Sequence, residues 1–263
     1  MTDRFYTLHE AAEAGAWDEA NSWDWGSPLL DHGTGGQVAG TVNIIAADSG
    51  VGKSFLCLHL ASLSPFPSLV ISLEESAAEV GRRGKHLPGG PKAHPRVLVH
   101  APSDYTFDDI LATIRVAKER HNVRSVFVDY LQLIDYTGTR PFTARTDEIR
   151  NILLDLRMLA KELEIAIIVA AQLKEVLQGM DRDEPELKDL ADSVSVKRLA
   201  WSVVMLWSCP ADNLLCAKVK KSKRTAAGTR QFFLRGHGGI LEPIPASRAK
   251  AMLEAVLSED EGF

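Results

Sequence analysis

The residues best suited to chemistry stand in one glycine-rich segment, AADSGVGKS (46–54), between an apolar run and a helix-forming sequence. Backbone N–H groups at such a strand–loop–helix junction surround phosphates, helped by the positive end of the helix. Lys53 can reach the outer phosphates, and the Ser54 hydroxyl can ligate Mg²⁺. Glycines allow the backbone to curve closely around the anion. The predicted nucleotide-binding residues are Ala47, Asp48, Ser49, Gly50, Val51, Gly52, Lys53 and Ser54.

Ala47 departs from the usual pattern of a phosphate-binding loop, G-x-x-x-x-G-K-[ST]. That pattern begins with a glycine six residues before the lysine, and here the position holds alanine. We expect Ala47 to be the last residue of a strand, where a Cβ atom can be accommodated. The alanine therefore need not disable the site.

A carboxylate follows a second apolar run, in VRSVFVDYLQLID (123–135). Nucleotide hydrolases with a phosphate-binding loop need such a group at the end of a strand to hold Mg²⁺. Asp129 occupies that place. We therefore predict that Ser54 and Asp129 are the protein ligands of the metal.

Two further polar residues end apolar runs. Glu74 follows the run 68–73, and Gln172 follows the run 165–171. Proteins with α/β folds bind their ligands at the C-terminal edge of the sheet, where these residues would lie. A carboxylate there can orient water for attack on a phosphoryl group, and a neutral amide can contact a phosphate without repelling it. Glu75 competes with Glu74 for the first role.

The elements that position these residues alternate along the chain. Apolar runs rich in Val, Ile and Leu predict strands at 41–47, 68–73, 96–101, 125–130, 165–171, 202–207, 214–219 and 230–235. Apolar residues at three- and four-residue spacing predict helices over 146–163 and 108–121. This alternation predicts an α/β fold with a mostly parallel twisted sheet flanked by helices, and antiparallel strands at its C-terminal edge.

An ordered set of motifs resembles one family. AADSGVGKS without its first glycine, ISLEES, DYLQL and the span RTDEIRNILLDLRMLAKELEIAIIVAAQL are similar to the C-terminal RecA-fold motor of DnaB-type replicative helicases. The resemblance covers about residues 22–240. It implies a RecA-like P-loop NTPase core that uses ATP and Mg²⁺. It also implies that Glu74 polarises the attacking water and that Gln172 senses the γ-phosphate and couples it to DNA-binding loops.

The resemblance gives a role to the basic stretch AKVKKSKRTAAGTRQFF (217–233). Members of this family place a lysine and an arginine, two residues apart, in the ATP site of the neighbouring subunit. Counting back from Gly228 puts the arginine on Lys223 and its partner on Lys221, but the arginine stands one place later, as Arg224. We choose Arg224 with Lys221 as the pair that acts in trans, and Lys223 stays an alternative.

The resemblance also implies partners. Loops after the Gln-Leu strand line a central pore in this family, and here they correspond to 174–193, which carries acidic as well as basic residues. The implied partners are single-stranded DNA, further copies of the chain in a homohexamer, and a primase or helicase loader.

Composition limits the location and the mode of DNA contact. The 263-residue chain has a formal net charge of −5, so any contact with nucleic acid must be local. Its three distant cysteines suggest free thiols in a reducing compartment and no metal site. No apolar run approaches the ~18 residues that span a bilayer, and the N-terminus does not resemble a signal peptide. We expect a cytoplasmic protein without membrane contact.

These inferences give one organisation and two hypotheses of function. The expected parts are an N-terminal arm or linker helix (1–30), a RecA-like motor (31–245) and a C-terminal helix with an acidic tail (246–263). The first hypothesis is an ATP-dependent, ring-forming DNA helicase or translocase that hydrolyses ATP at subunit interfaces and moves along single-stranded DNA during replication. The alternative is a RecA-fold ATPase that does not unwind DNA and acts as a regulatory or loading factor.

Overall fold

A nine-stranded sheet organises the fold in the computed structural model, which describes residues 7–8, 21–174, 184–190, 193–208, 214–225, 231–237, 240–245 and 247–252. The strands are β1 (Ser22–Trp23), β2 (Gln37–Val38), β3 (Thr41–Ala47), β4 (Ser68–Ser72), β5 (Val97–His100), β6 (Ser125–Asp129), β7 (Ala166–Gln172), β8 (Ser202–Ser208), β9 (Leu214–Ser222), β10 (Gln231–His237) and β11 (Ile240–Ile244). β1 and β2 pair separately, and the large sheet has the order β11-β10-β9-β8-β3-β7-β6-β4-β5.

The direction of the strands confirms the predicted fold class. From β8 to β5 the neighbouring strands run parallel, whereas β9, β10 and β11 extend the sheet in antiparallel fashion. The eight predicted strands are all present, and their observed ends differ by a few residues at most, as in β9, which continues to Ser222. β11 and the β1–β2 pair were not predicted, since each is short or lacks a continuous apolar run.

Helices cover both faces of the sheet. They are α1 (Pro28–Thr34), α2 (Lys53–Leu63), α3 (Ala77–Gly84), α4 (Phe107–His121), α5 (Arg145–Leu163) and α6 (Ser193–Leu199). The two helices predicted from periodicity, α4 and α5, each begin one residue earlier than expected. Capping boxes at Ser76 and Thr106 fix the starts of α3 and α4, because each side chain accepts a bond from the third backbone N–H of its helix.

Alternate residues of β3 enter two different parts of the core. Val42, Ile44 and Ala46 pack in the layer that contains the apolar faces of α4 and α5. Ile45 and Ala47 point the other way, into the layer that contains α2. Burial on both faces explains why this strand reads as a continuous apolar run rather than an alternating one.

The stretch 21–40, whose first ten residues were predicted to belong to the N-terminal arm (1–30), is folded against the core. The Trp23 indole donates to Ser125 Oγ at 3.1 Å, and the Trp25 indole donates to Thr34 Oγ1 at 2.8 Å. The Arg124 guanidinium lies 4.7 Å from the Trp23 ring centroid. The Trp23 contacts join β1 to the start of β6, and the Trp25 contact fixes the preceding loop against the end of α1. Residues 1–20 of the predicted arm lie outside the described residues, except for 7–8.

The fold also bears on the predictions about the cysteines and about membrane-spanning helices. Cys57 in α2 is a free, buried thiol, but Cys216 on β9 is disulfide-bonded, so the expectation that all cysteines are free is wrong. Over the residues that the structure describes, no helix has the combined length and hydropathy needed to cross a membrane.

Asp31 in α1 should make the stability depend on pH. Its Oδ1 accepts the Trp25 N–H at 2.5 Å, and burial raises its pKa from 3.8 to about 6. Between these two values the folded chain holds a proton that the unfolded chain has released, so this contribution to stability falls as the pH rises from about 4 to about 7. Asp31→Asn should remove that loss, about 1–2 kcal/mol once partial exposure is considered.

Denaturant unfolding of both proteins between pH 4 and pH 7 measures the effect. The variant should become more stable relative to the native protein as the pH rises. A difference that stays constant across this range would show that Asp31 does not titrate as described.

Candidate functional site

The register of the parallel strands brings the predicted site residues to one edge of the sheet. Ala47 at the end of β3 is paired with Gln172 at the end of β7. Ser72 at the end of β4 is paired with Asp129 at the end of β6. Four neighbouring strands therefore end at similar heights, and the loops that follow them meet there.

The phosphate-loop prediction corresponds to a tight turn between β3 and α2. The turn contains Asp48–Gly52, and its two glycines have positive φ angles, 77° at Gly50 and 105° at Gly52. Such angles strain any residue with a Cβ atom. The side chain of Lys53 folds back over the turn, and its Nζ donates to the Asp48 carbonyl at 3.1 Å. The ammonium group and the start of α2 therefore face the same concave stretch of backbone.

Ala47 does not need to be glycine in this chain. It is fully buried and belongs to β3, with none of the positive φ that glycine alone tolerates. Its carbonyl accepts the Leu173 N–H at 3.2 Å, which joins the loop to β7. The alanine thus ends the strand before the turn begins, as expected.

Asp129 and Ser54 form a pair of oxygen donors beside the loop. The Asp129 carboxylate is buried and accepts a hydrogen bond from the Ser54 hydroxyl, and its Oδ1 has no partner among the described residues. Carboxylate and hydroxyl oxygens suit Mg²⁺, which in nucleotide sites is usually held by few protein groups together with phosphate oxygens and water. No group of three or more His, Cys, Asp or Glu side chains suited to a metal occurs in the described parts of the chain. The donors present fit a cation that shares its ligands with a nucleotide.

Burial shifts the pKa values of two charged groups at this edge, Lys53 and Asp129. It lowers the pKa of Lys53, and the charges of Asp129 and Glu74 oppose this shift. Burial also raises the pKa of Asp129, with the Ser54 bond and the Lys53 charge acting in the opposite direction. Both groups are therefore poorly solvated in their charged forms. A bound phosphate beside Lys53 and a cation beside Asp129 would each stabilise the charged form.

The two adjacent glutamates after β4 have different surroundings. The Glu75 carboxylate forms an ion pair with Arg83 of α3, and the Glu75 backbone N–H donates to Ser72 Oγ at 3.1 Å. Glu74 is exposed, and its charge acts on both Lys53 and Asp129. The geometry thus separates two residues that the sequence left as alternatives, because it is Glu74 whose carboxylate is not held by α3.

Gln132 also belongs to the site, although its sequence position did not identify it. Its side-chain Oε1 accepts the Gln172 N–H at 3.1 Å, and its Nε2 donates to the Gln172 carbonyl at 3.3 Å. The amide therefore fixes the main chain of the predicted phosphate sensor. The available signal was its place in DYLQL, three residues after Asp129.

The basic residues predicted to act in trans lie at the opposite edge of the sheet. The Lys221 ammonium donates to the carbonyls of Lys197 and Ala200, the latter at 2.6 Å. Arg224 Nη1 donates to the Gly35 carbonyl at 3.0 Å. The Lys223 Nζ lies 5.5 Å from the ring centroid of Trp201. The seven residues of β3, about 20 Å, separate this edge from the phosphate loop.

The basic stretch also has a second, separate group of lysines. Lys218 donates to Glu184 at 2.7 Å, and Lys220 forms ion pairs with Glu184 and Glu186, the latter at 2.9 Å. Lys218 and Lys220 stand two residues apart on β9, so their side chains can reach the same carboxylate. Two acidic residues of the predicted DNA loop are therefore neutralised by β9. Residues 175–183 of that loop lie outside the described residues.

Known proteins resemble this chain in both sequence and fold. The family described as DnaB-like helicase C terminal domain matches residues 92–228. The replicative DNA helicase DnaB of Leifsonia xyli is 28% identical over an alignment 206 residues long, and the match covers 67% of this chain and 44% of that protein. The corresponding helicase of Helicobacter pylori strain J99 is also 28% identical over an alignment of 206 residues, and the match covers 68% of this chain and 42% of that protein. The chain thus spans less than half the length of these curated relatives.

Two solved structures share the fold. The ATPase domain of G40P superposes with a TM-score of 0.77 at 20% identity, covering 92% of this chain and 100% of that one. A DnaB-like replicative helicase, described with its interactions with primase, gives a TM-score of 0.74 at 20% identity, covering 92% of this chain and 68% of the other. The chain belongs to the DnaB-like helicase C-terminal domain family.

Proposed function

We propose that this chain is an ATP-driven motor of the DnaB type that assembles into a ring and moves along single-stranded DNA during replication. The observation that carries the proposal is the meeting of Lys53, Ser54 and Asp129 with Glu74 and Gln172 at one edge of the sheet. This set includes groups that could bind a triphosphate, activate a water molecule and sense whether the γ-phosphate is still present. Binding alone would not require Glu74 and Gln172.

Each residue has a separate role in the proposed hydrolysis. The backbone N–H groups of 48–53 and the Lys53 ammonium bind the phosphates. Ser54 and Asp129 would hold Mg²⁺, which supplies positive charge to the β- and γ-phosphate oxygens. Glu74 orients a water molecule towards the γ-phosphorus and accepts its proton.

Gln172 links the nucleotide to the rest of the motor in this proposal. Its side chain contacts the γ-phosphate, while Gln132 and the paired Ala47 hold its main chain. The next residues lead directly into the segment proposed to contact DNA. The loss of the γ-phosphate can therefore change the position of that segment through β7.

The residues proposed to act in trans are Lys221, Lys223 and Arg224. All three lie too far from the phosphate loop of their own copy to reach a nucleotide bound there, because the length of β3, about 20 Å, separates them from it. Lys223 is the best placed to contact a neighbour, because Lys221 caps carbonyls of its own chain and Arg224 is bonded to Gly35. A cation at this place would stabilise charge on the transferred phosphoryl group.

The remaining parts of the proposal follow from the family. We propose a homohexamer that binds single-stranded DNA through loops within 174–193 and works with a primase or a helicase loader in the cytoplasm. The proposed motor comprises the predicted residues 31–245 together with 21–30, because β1 pairs with β2 and α1 crosses the predicted boundary at residue 30. The proposed arm is thereby shortened to 1–20, and a helix and tail are proposed at 246–263.

One observation favours the second candidate, a regulatory or loading ATPase that does not unwind DNA. Glu184 and Glu186 engage Lys218 and Lys220, so these lysines are not free to bind a phosphate backbone. In this case ATP would control assembly only.

Single-stranded DNA distinguishes the two candidates. We expect it to raise the rate of ATP hydrolysis several-fold, and we expect the protein with ATP and Mg²⁺ to displace one strand of a forked duplex. Lys53→Ala should abolish both activities, because the phosphates lose their main cationic contact. Hydrolysis that does not respond to single-stranded DNA, together with no strand displacement, would support the regulatory role instead.

The adjacent glutamates provide a matched pair of variants. Glu74→Gln should lower the turnover of ATP by about a hundredfold or more while nucleotide binding persists, because the attacking water loses its base. Glu75→Gln should stay within about threefold of the native rate, since it removes only a partly exposed ion pair with Arg83. Phosphate release and binding of a fluorescent ATP analogue measure the two effects. A larger loss in Glu75→Gln than in Glu74→Gln would reverse the assignment.

A further inference from the structure

Two lysines of β9 and two glutamates of the segment 184–190 form a cluster of ion pairs, which we call the clasp. Lys218 donates to Glu184 at 2.7 Å, and Lys220 forms ion pairs with both Glu184 and Glu186, the latter at 2.9 Å. The side chain of Lys220 is only 6% exposed, and that of Glu184 is 33% exposed. The clasp belongs neither to the nucleotide-binding edge nor to the residues proposed to act in trans.

The clasp holds its central pair in the charged form. Burial alone would lower the pKa of Lys220, but the bonds to Glu184 and Glu186 raise it above its usual value. Burial alone would raise the pKa of Glu184, but the bonds from Lys218 and Lys220 lower it. Removing one partner of a buried ion pair leaves an uncompensated charge and is strongly destabilising. A phosphate of DNA would have to reach an almost fully buried side chain to displace Glu184, so the clasp is a fixed attachment rather than a mask over a binding site.

Main-chain bonds attach the segment with the two glutamates to the end of β7. Leu190 forms an antiparallel bridge with Leu173 and is fully buried. The Lys174 N–H donates to the Asp189 carbonyl at 2.8 Å. Leu173 and Lys174 directly follow Gln172, the proposed phosphate sensor. The segment is therefore held on one side by the strand of the sensor and on the other side by β9.

β9 continues from the clasp to the residues proposed to act in trans. Lys221 follows Lys220 directly, and Lys223 comes immediately after the end of the strand. On the other side of the clasp, the Glu186 N–H donates to the Asp189 carboxylate at 2.7 Å, which ties the clasp to the main-chain bonds at β7. A continuous series of bonded residues therefore leads from the phosphate sensor to β9. Coupling between distant sites is carried by contiguous contacts of this kind.

We propose that the clasp transmits the binding of single-stranded DNA from the segment after β7 to β9, with Lys218 and Lys220 as positioning residues for ATP hydrolysis. This inference rests on the proposed function, in which loops within 174–193 bind DNA and Lys221 and Lys223 act in trans. DNA that displaces the segment with the two glutamates would displace β9 with it, because the clasp joins the two. Without the clasp, DNA would still bind, but its effect on hydrolysis would be lost.

Lysine variants of β9 test the proposal, because they open the clasp without altering the nucleotide site or the proposed DNA loop. Lys218→Met combined with Lys220→Met keeps the aliphatic packing and removes both charges. We expect this double variant to keep the basal rate of ATP hydrolysis within about twofold of native, while stimulation by single-stranded DNA falls from several-fold to less than about twofold. Its affinity for a fluorescent single-stranded oligonucleotide should change less than about threefold, because a lysine that contacts no phosphate adds little to binding.

Three further variants separate coupling from folding. Lys220→Arg keeps the charge and should retain the native stimulation. Glu184→Gln, added to the double variant, removes the carboxylate left without a partner and should cause no further loss of stimulation, since residues that act only through each other are not additive. Arg115→Met is the control, because it removes an exposed ion pair with Glu162 and should respond to DNA as the native protein does. Backbone amides of 184–190 should exchange faster in the double variant and at the native rate in Lys220→Arg.

Three results would overturn the proposal. The first is native stimulation in the double variant. The second is a fall of the basal and stimulated rates in equal proportion, which would show that the clasp only maintains the fold. The third is weaker DNA binding with native stimulation at saturating DNA, which would identify the lysines as direct DNA contacts. If the native protein hydrolyses ATP without any response to single-stranded DNA, the proposed function fails together with this inference, and that result differs from the other three, in which the native protein responds.

Discussion

Parallel pairing of β3 with β7, and of β6 with β4, is the constraint on which the site depends. Because these strands run in one direction and in register, their C-terminal ends stop at one edge. Their sequences are mostly apolar, and a polar side chain stands at or directly after the C-terminal end of each strand. The groups that could bind and cleave a nucleotide therefore come from distant parts of the sequence without any one segment having to encode them all.

The same sheet separates two sets of charged groups. The phosphate loop lies at one end of β3, whereas Lys221, Lys223 and Arg224 lie at the other. The antiparallel direction of β9 carries Lys221 and Lys223 to this second edge. Within one copy these cations lie about 20 Å from the phosphate loop. A head-to-tail arrangement of copies would bring the cations of one copy to the phosphate loop of the next. Head-to-tail contacts close into rings when the rotation between copies permits it.

Structural features that are encoded locally could be predicted from the sequence. Features that depend on contacts between distant residues could not. Strands buried on both faces read as continuous apolar runs, and the phosphate loop is encoded within a few residues, so both could be predicted. Glu74 and Glu75 could not be separated, because the difference depends on Arg83 in α3. The packing of residues 21–30 on the core could not be predicted, since it depends on contacts with Arg124 and Ser125.

If nucleotide is held between copies of this chain, its binding should drive their assembly. The mass of the particles in solution with Mg²⁺, with and without a non-hydrolysable ATP analogue, measures this. We expect the analogue to shift the 28.8 kDa chain to a closed assembly of about six copies. Particles that stay at the mass of a single chain with nucleotide, Mg²⁺ and single-stranded DNA all present would contradict it.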